Sequence, residues 1–171
     1  MRDEPQVVQT GYRADDRVAI YEMLGAYAAA VDANDGDALA KLMNDTVHVT
    51  APATGPVAAL FAPDPVYDGK TPIDGPDYAR AITRNMRHLS VTQHLITNPR
   101  ITFTDEDGAY CTAYLRAIHF IGDPTEGIAY EVGGYYHLDL VRVLGDWRIA
   151  HWRLTVTWEF GNAQAVMAPP I

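Results

Sequence analysis

The side chains best suited to moving protons in this chain are its six histidines. Only imidazole has an unperturbed pKa that makes it a general base near neutral pH. His94 lies in Thr92-Gln93-His94-Leu95-Ile96-Thr97-Asn98 and reads either as a satisfied core histidine or as such a base. His119 follows Cys111 and Leu115 at even spacing, so one face of a strand carries all three. That face either lines a pocket or belongs to the core or surface. Asp32 ends a helical stretch, where a carboxylate works against the helix dipole. It is either a helix end facing water or a group kept there for a purpose. Tyr27 lies on the apolar face of the same stretch, as core packing or as a phenol that donates to a substrate oxygen. His137 and His151 do not stand with His119 at any zinc or iron spacing, so no metal site is expected. His48 and His88 read as surface residues. The sequence has no Gly-rich phosphate loop and no cysteine cluster, and no cofactor is expected.

Helices first and strands afterwards must position these groups. After a polar arm over 1–13, Asp15 and Asp16 can cap a helix whose apolar face is Ile20, Met23, Leu24, Tyr27 and Val31. A short helix over 37–43 and a strand over 47–51 follow. Residues 52–76 include Pro52, Pro56, Pro63, Pro65, Pro72 and Pro76, a density that predicts no regular element. A loop of that length, 53–74, is expected to cover a pocket mouth. Pro76 suits the first turn of a second helix over 77–88, with Tyr78, Ile82 and Met86 facing the core.

Segments 91–104, 109–121, 128–143 and 147–159 are rich in Val, Ile, Thr, Tyr, Phe and Trp. Hairpin turns at 105–108 and 144–146, and a longer connection at 122–127, join them. This order predicts an α+β domain. Long antiparallel strands must twist and curl, which gives a cone-shaped curved sheet packed on the N-terminal helices, with a pocket at its open mouth. The expected boundaries are an arm over 1–13, a domain over 14–160 and a C-terminal tail over 161–171.

The chain has 171 residues, 48% of them hydrophobic, which is one domain with room for a core and a pocket. Its formal net charge of −9 disfavours nucleic acid and anionic membrane surfaces as partners. No apolar run reaches the ~20 residues of a spanning helix, and the polar start MRDEPQVVQTGYRADD lacks a secretion-signal core. The single cysteine, Cys111, reads as a small buried apolar residue and fits a reducing, cytoplasmic setting.

Four stretches in this order resemble the SnoaL-like branch of the nuclear-transport-factor-two-like superfamily. They are Ala26–Ala33 with the helix after it, Thr92–Asn98, Gly134–Asp139, and Gly145–Ala150 leading to Trp158. That branch includes scytalone dehydratase, bile-acid dehydratase, lindane dehydrochlorinase and polyketide cyclases. The resemblance implies that Asp32 pairs with His94 as a catalytic dyad, the carboxylate fixing the tautomer of the imidazole. It implies that His119 is the counterpart of a second catalytic histidine. Asn98 repeats the family's His-x-x-x-Asn spacing, as a substrate contact or a structural residue. Where the family often carries an arginine, five residues after Trp147, this chain has Trp152, which suits stacking on an apolar or aromatic substrate.

The expected function is that of a cofactor-independent lyase or isomerase, dehydratase-like, acting on a polycyclic, steroid-like or polyketide-like molecule. The alternatives are a non-catalytic small subunit of a ring-hydroxylating dioxygenase and a small-molecule-binding protein. A homo-trimer is expected, with a homo-dimer as the alternative.

Overall fold

The computed structural model describes residues 12–61, 67–123, 125 and 127–164, so most of the expected arm and tail fall outside the described residues. Helix α1 (Ala14–Asp32) comes first, then α2 (Gly36–Ala40), β1 (Met43–Thr50), a 3-10 helix (Pro56–Phe61), β2 (Asp68–Asp74) and α3 (Gly75–Asn85). Four long strands close the chain: β3 (Val91–Phe103), β4 (Gly108–Ile121), β5 (Ile128–Val143) and β6 (Asp146–Gly161). All six strands form one curved, unclosed sheet in the order β2-β1-β6-β5-β4-β3, antiparallel throughout except between β1 and β6. The expected α+β cone is thus the fold of this chain.

Helix α1 lies in the concave side of the sheet. Ile20, Met23, Leu24, Tyr27, Ala30 and Val31 are buried at helical spacing, and this stripe packs against the inward residues of the strands. Along β4 every odd residue from Ala109 to His119 is buried. The core is therefore the interior of the cone, and the pocket is the part of it that the helices leave unfilled.

Two expectations about local structure are corrected. Asp15 and Asp16 do not cap α1. The capping position is Arg13, in the left-handed region at φ 47°, with no side-chain cap bond. Asp16 instead accepts from Arg13 Nε at 2.7 Å, from Arg142 and from Trp147 Nε1 at 3.3 Å. Arg13 also donates to the carbonyls of Asp105 and Glu106, which ties the start of α1 to the β3–β4 turn. The proline-rich stretch is also not wholly irregular. Pro56 begins the 3-10 helix, and Pro72 sits in edge strand β2, where its missing N–H disrupts no central ladder. Asp74 then caps α3, accepting from Asp77 N at 2.8 Å, with proline in the first turn.

Candidate active site

Register shifts decide which side chains enter the cone, and two of them shape the pocket wall. On β3, Thr97 pairs with Tyr114 and Arg100 with Thr112, so β3 carries one extra residue there. Thr92, His94 and Ile96 face inward before this bulge, and Ile101 and Phe103 after it. Asn98 occupies the bulge at φ 52° and is exposed. It is not among the residues that line the pocket, so its left-handed backbone explains its place in the His-x-x-x-Asn spacing. On β6, Asp139 pairs with His151 and Leu140 with Ile149, so β6 carries the extra residue. Simple alternation from Trp147 and Ile149 would bring His151 and Arg153 inside. The bulge brings Trp152 and Leu154 inside instead.

The C-terminal residue of α1, Asp32, meets β3 at three points. His94 Nδ1 lies 2.7 Å from Asp32 Oδ1, the His94 backbone N–H donates to Oδ2 at 3.0 Å, and Thr92 Oγ1 donates to Oδ1 at 2.8 Å. Burial pushes the Asp32 carboxyl up, but the bonds from His94 and Thr92 outweigh it and hold the group below the ordinary aspartate value. A carboxylate on Nδ1 fixes that nitrogen as the protonated one, so Nε2 keeps its lone pair. Residue type alone does not mark Thr92 as part of the site. Its signal is that it stands two residues before His94, on the same strand face.

His119 packs edge-on against His94, with ring centroids 5.6 Å apart, and its other side stacks on Tyr130 at 6.0 Å. Burial and the neighbouring His94 lower its pKa to about 4, and the Tyr130 backbone only partly opposes this. At neutral pH His119 is a neutral imidazole with a buried Nδ1 that has no hydrogen-bond partner among the described residues. His137 and His151 lie on the opposite face of the sheet, bonded to Tyr110 and to Thr50 and Asp139. His48, expected at the surface, is half-buried with its ring 5.8 Å from that of His151. Burial pushes the Cys111 thiol up to about 12, which suits an inert core residue.

Tyr27, His94, His119 and Trp152 line one pocket, together with Tyr136 and a set of apolar residues that includes Val31, Leu115 and Leu154. Tyr27 meets Tyr136 edge-on at 5.7 Å, and Tyr136 lies 5.3 Å from Trp152. From the proline-rich stretch, Val57 and Phe61 close one side. Residues 62–66 of the expected flap lie outside the described residues. The free interior is about 40 Å³, which is room for one or two waters.

A cone-shaped sheet over a helix, with a carboxylate at the helix end bonded to a strand histidine inside a small apolar pocket, defines the class of this molecule. The model of the SnoaL-like domain matches residues 12–153, and the chain belongs to that family. It is 35% identical over 78 residues to the terrestric acid biosynthesis cluster protein E of Penicillium crustosum. That match takes in 42% of this chain and 49% of the relative, about half the relative's length. The Kfla4162 protein from Kribbella flavida superposes with a TM-score of 0.73 at 25% identity, over 91% of this chain and 99% of that one. A Novosphingobium aromaticivorans protein named for scytalone dehydratase superposes with a TM-score of 0.66 at 23% identity, over 87% and 89%.

Proposed function

We propose that this protein is a cofactor-independent lyase or isomerase of the dehydratase type. The observation that carries this reading is the 2.7 Å contact between Asp32 Oδ1 and His94 Nδ1, in which the His94 ring lines the pocket and Asp32 backs it from outside the lining. In it, His94 Nε2 removes a proton from carbon next to a carbonyl, and Asp32 stabilises the imidazolium that forms. When a hydroxyl stands on the next carbon, its C–O bond breaks and the removed proton leaves with it as water. When none does, the proton returns elsewhere and the outcome is isomerisation. Tyr27 is the phenol that donates to the substrate oxygen, and His119 holds the far side of the His94 ring. The relative from a biosynthesis cluster, and a fold shared with a protein named for scytalone dehydratase, are in keeping with the same class.

The test uses a minimal substrate. 3-Hydroxy-1-tetralone loses water to give 1-naphthol, which is followed by its fluorescence, and exchange of the protons α to the carbonyl in D2O is followed by NMR. The wild type should accelerate both. His94→Gln and Asp32→Asn should each lose about 100-fold or more, in line with removal of a general base or of its orienting partner, while circular dichroism stays unchanged. Equal rates in the variants would remove the dyad from the mechanism. One observation favours a non-catalytic binding or assembly role instead: the free interior of about 40 Å³ is far smaller than a ring system. Under that reading the wild type accelerates neither process.

A further inference from the structure

Three atoms at the end of α1 form a closed triangle. Asp32 Oδ1 lies 2.7 Å from His94 Nδ1 and 2.8 Å from Thr92 Oγ1, and the hydroxyl oxygen lies 3.3 Å from the same Nδ1. The hydroxyl has one hydrogen to give. Nδ1 carries the imidazole proton, so the Thr92 hydrogen goes to Oδ1 and an oxygen lone pair is left facing the Nδ1–H. Thr92 is 7% exposed, and its partner across the β3–β4 ladder is His119. It is thus enclosed between the dyad and the second histidine. Its branched side chain has few rotamers, and it stands on the same strand face as the imidazole it serves.

The carboxylate needs such a partner. Asp32 is the last residue of its helix, and its side chain is 26% exposed. The terminal torsion of an aspartate is broad. Without the hydroxyl, Oδ1 is held by the imidazole alone, and the carboxylate can turn towards water. A neutral imidazole that loses its carboxylate is free to carry the proton on Nε2 instead. That tautomer has no lone pair on the nitrogen assigned as the base.

We propose that Thr92 is a positioning residue of the dyad: its hydroxyl fixes the Asp32 carboxylate against His94 Nδ1–H and so keeps the lone pair of His94 on Nε2. The proposal rests on the reading of Asp32 and His94 as a general base and its orienting partner, and adds the group that governs the state of that base. Neither Thr92 nor Asp32 lines the pocket, so the hydroxyl acts through the carboxylate and not on the substrate.

The experiment compares the full chain with Thr92→Val, which keeps the shape and the strand preference but has no hydroxyl, and with Thr92→Ser, which restores one. With ¹⁵N-labelled histidine, the His94 ring is assigned by the signal missing in His94→Gln. The wild type should hold its proton on Nδ1. Thr92→Val should show a mixture of tautomers and an Nδ1–H that exchanges with water about tenfold faster, the size of one net hydrogen bond. Thr92→Ser should return both to the wild-type state. In dehydration of the hydroxyketone, Thr92→Val should lose about tenfold in kcat with KM unchanged, and Thr92→Ser should recover it. A further measurement needs no variant. At low temperature the wild-type Thr92 hydroxyl should give a slowly exchanging proton signal in contact with the His94 Nδ1–H. An unchanged tautomer and exchange rate in Thr92→Val, a loss carried by KM alone, a Thr92→Ser that restores nothing, or a Thr92 hydroxyl exchanging as fast as a solvated one would overturn the proposal. A wild type that turns over no hydroxyketone defeats the acid–base reading, and the tautomer comparison still decides the part played by Thr92.

Discussion

At the scale of residues, His119 links the pocket to stability. Its pKa falls from the ordinary histidine value of 6.5 to about 4, because burial and His94 disfavour its charged form. Between those values the unfolded chain binds the proton and the folded chain does not. Stability therefore rises with pH from about 4 to 6.5, is complete above, and is lost as pH falls through that window. The contribution is on the order of 3 kcal/mol. Asp32, whose pKa is lowered, acts with the same sign but at more acid pH, below its ordinary value of 3.8. Urea denaturation between pH 4 and 7 should show this slope in the wild type and a flatter one in His119→Gln. An identical slope in the variant would mean that His119 is not buried in neutral form. The sequence made Asp32, His94, Tyr27, His119 and Trp152 readable as candidates because residue type and order survive in it. It did not make Asn98 readable, because a matching spacing looks the same whether the residue faces the pocket or sits in a bulge at φ 52°.

At the scale of elements, helix periodicity and strand composition marked the elements that bury large apolar faces, and their ends came out within a few residues. Proline density over 52–76 predicts no regular structure, yet the 3-10 helix and β2 form there. A 3-10 turn accepts proline at its start, and an edge strand accepts it where no N–H is needed. The two bulges escaped for a different reason. A register shift depends on pairing with another strand, and nothing in β3 or β6 alone marks it. The element most able to admit a ligand is the 3-10 helix, since Val57 and Phe61 line the pocket from outside the sheet and the long helices. With only about 40 Å³ free, a bicyclic ketone must displace lining side chains. These two can move without breaking the β ladder. Limited proteolysis within residues 52–61 should therefore slow when 1-tetralone saturates the pocket. Cleavage at the same rate with and without ligand would count against a flap.

At the scale of the whole molecule, the cone has an outer face that water covers poorly. Tyr114 and Tyr135 sit side by side on β4 and β5, with ring centroids 5.2 Å apart, and are 52% and 37% exposed. Leu95 and Val91 continue the patch on β3, and Trp158 lies on the same side, over Gly133, where an added Cβ would stand 2.0 Å from its ring. Aromatic and aliphatic side chains in such a group usually mark an interaction surface. The ion pair of Arg116 with Glu131 crosses the same two strands, so a partner meets a polar contact beside the apolar ones. A second and third copy of this chain fit that description, and we expect a homo-trimer with the sheet faces inward. The described residues include no helix long and apolar enough to cross a membrane. A stable interface of this kind buries more than ~1,000 Å² in total, which needs most of the outer face. Light scattering at low micromolar concentration should give the mass of a trimer, or of a dimer if two faces suffice. Tyr114→Glu with Tyr135→Lys should lower that mass while the secondary structure persists. Like charges of −9 on each copy oppose association, so added salt should strengthen it. A monomeric mass for the wild type at that concentration, unchanged by salt, would leave the outer face solvated and defeat the claim.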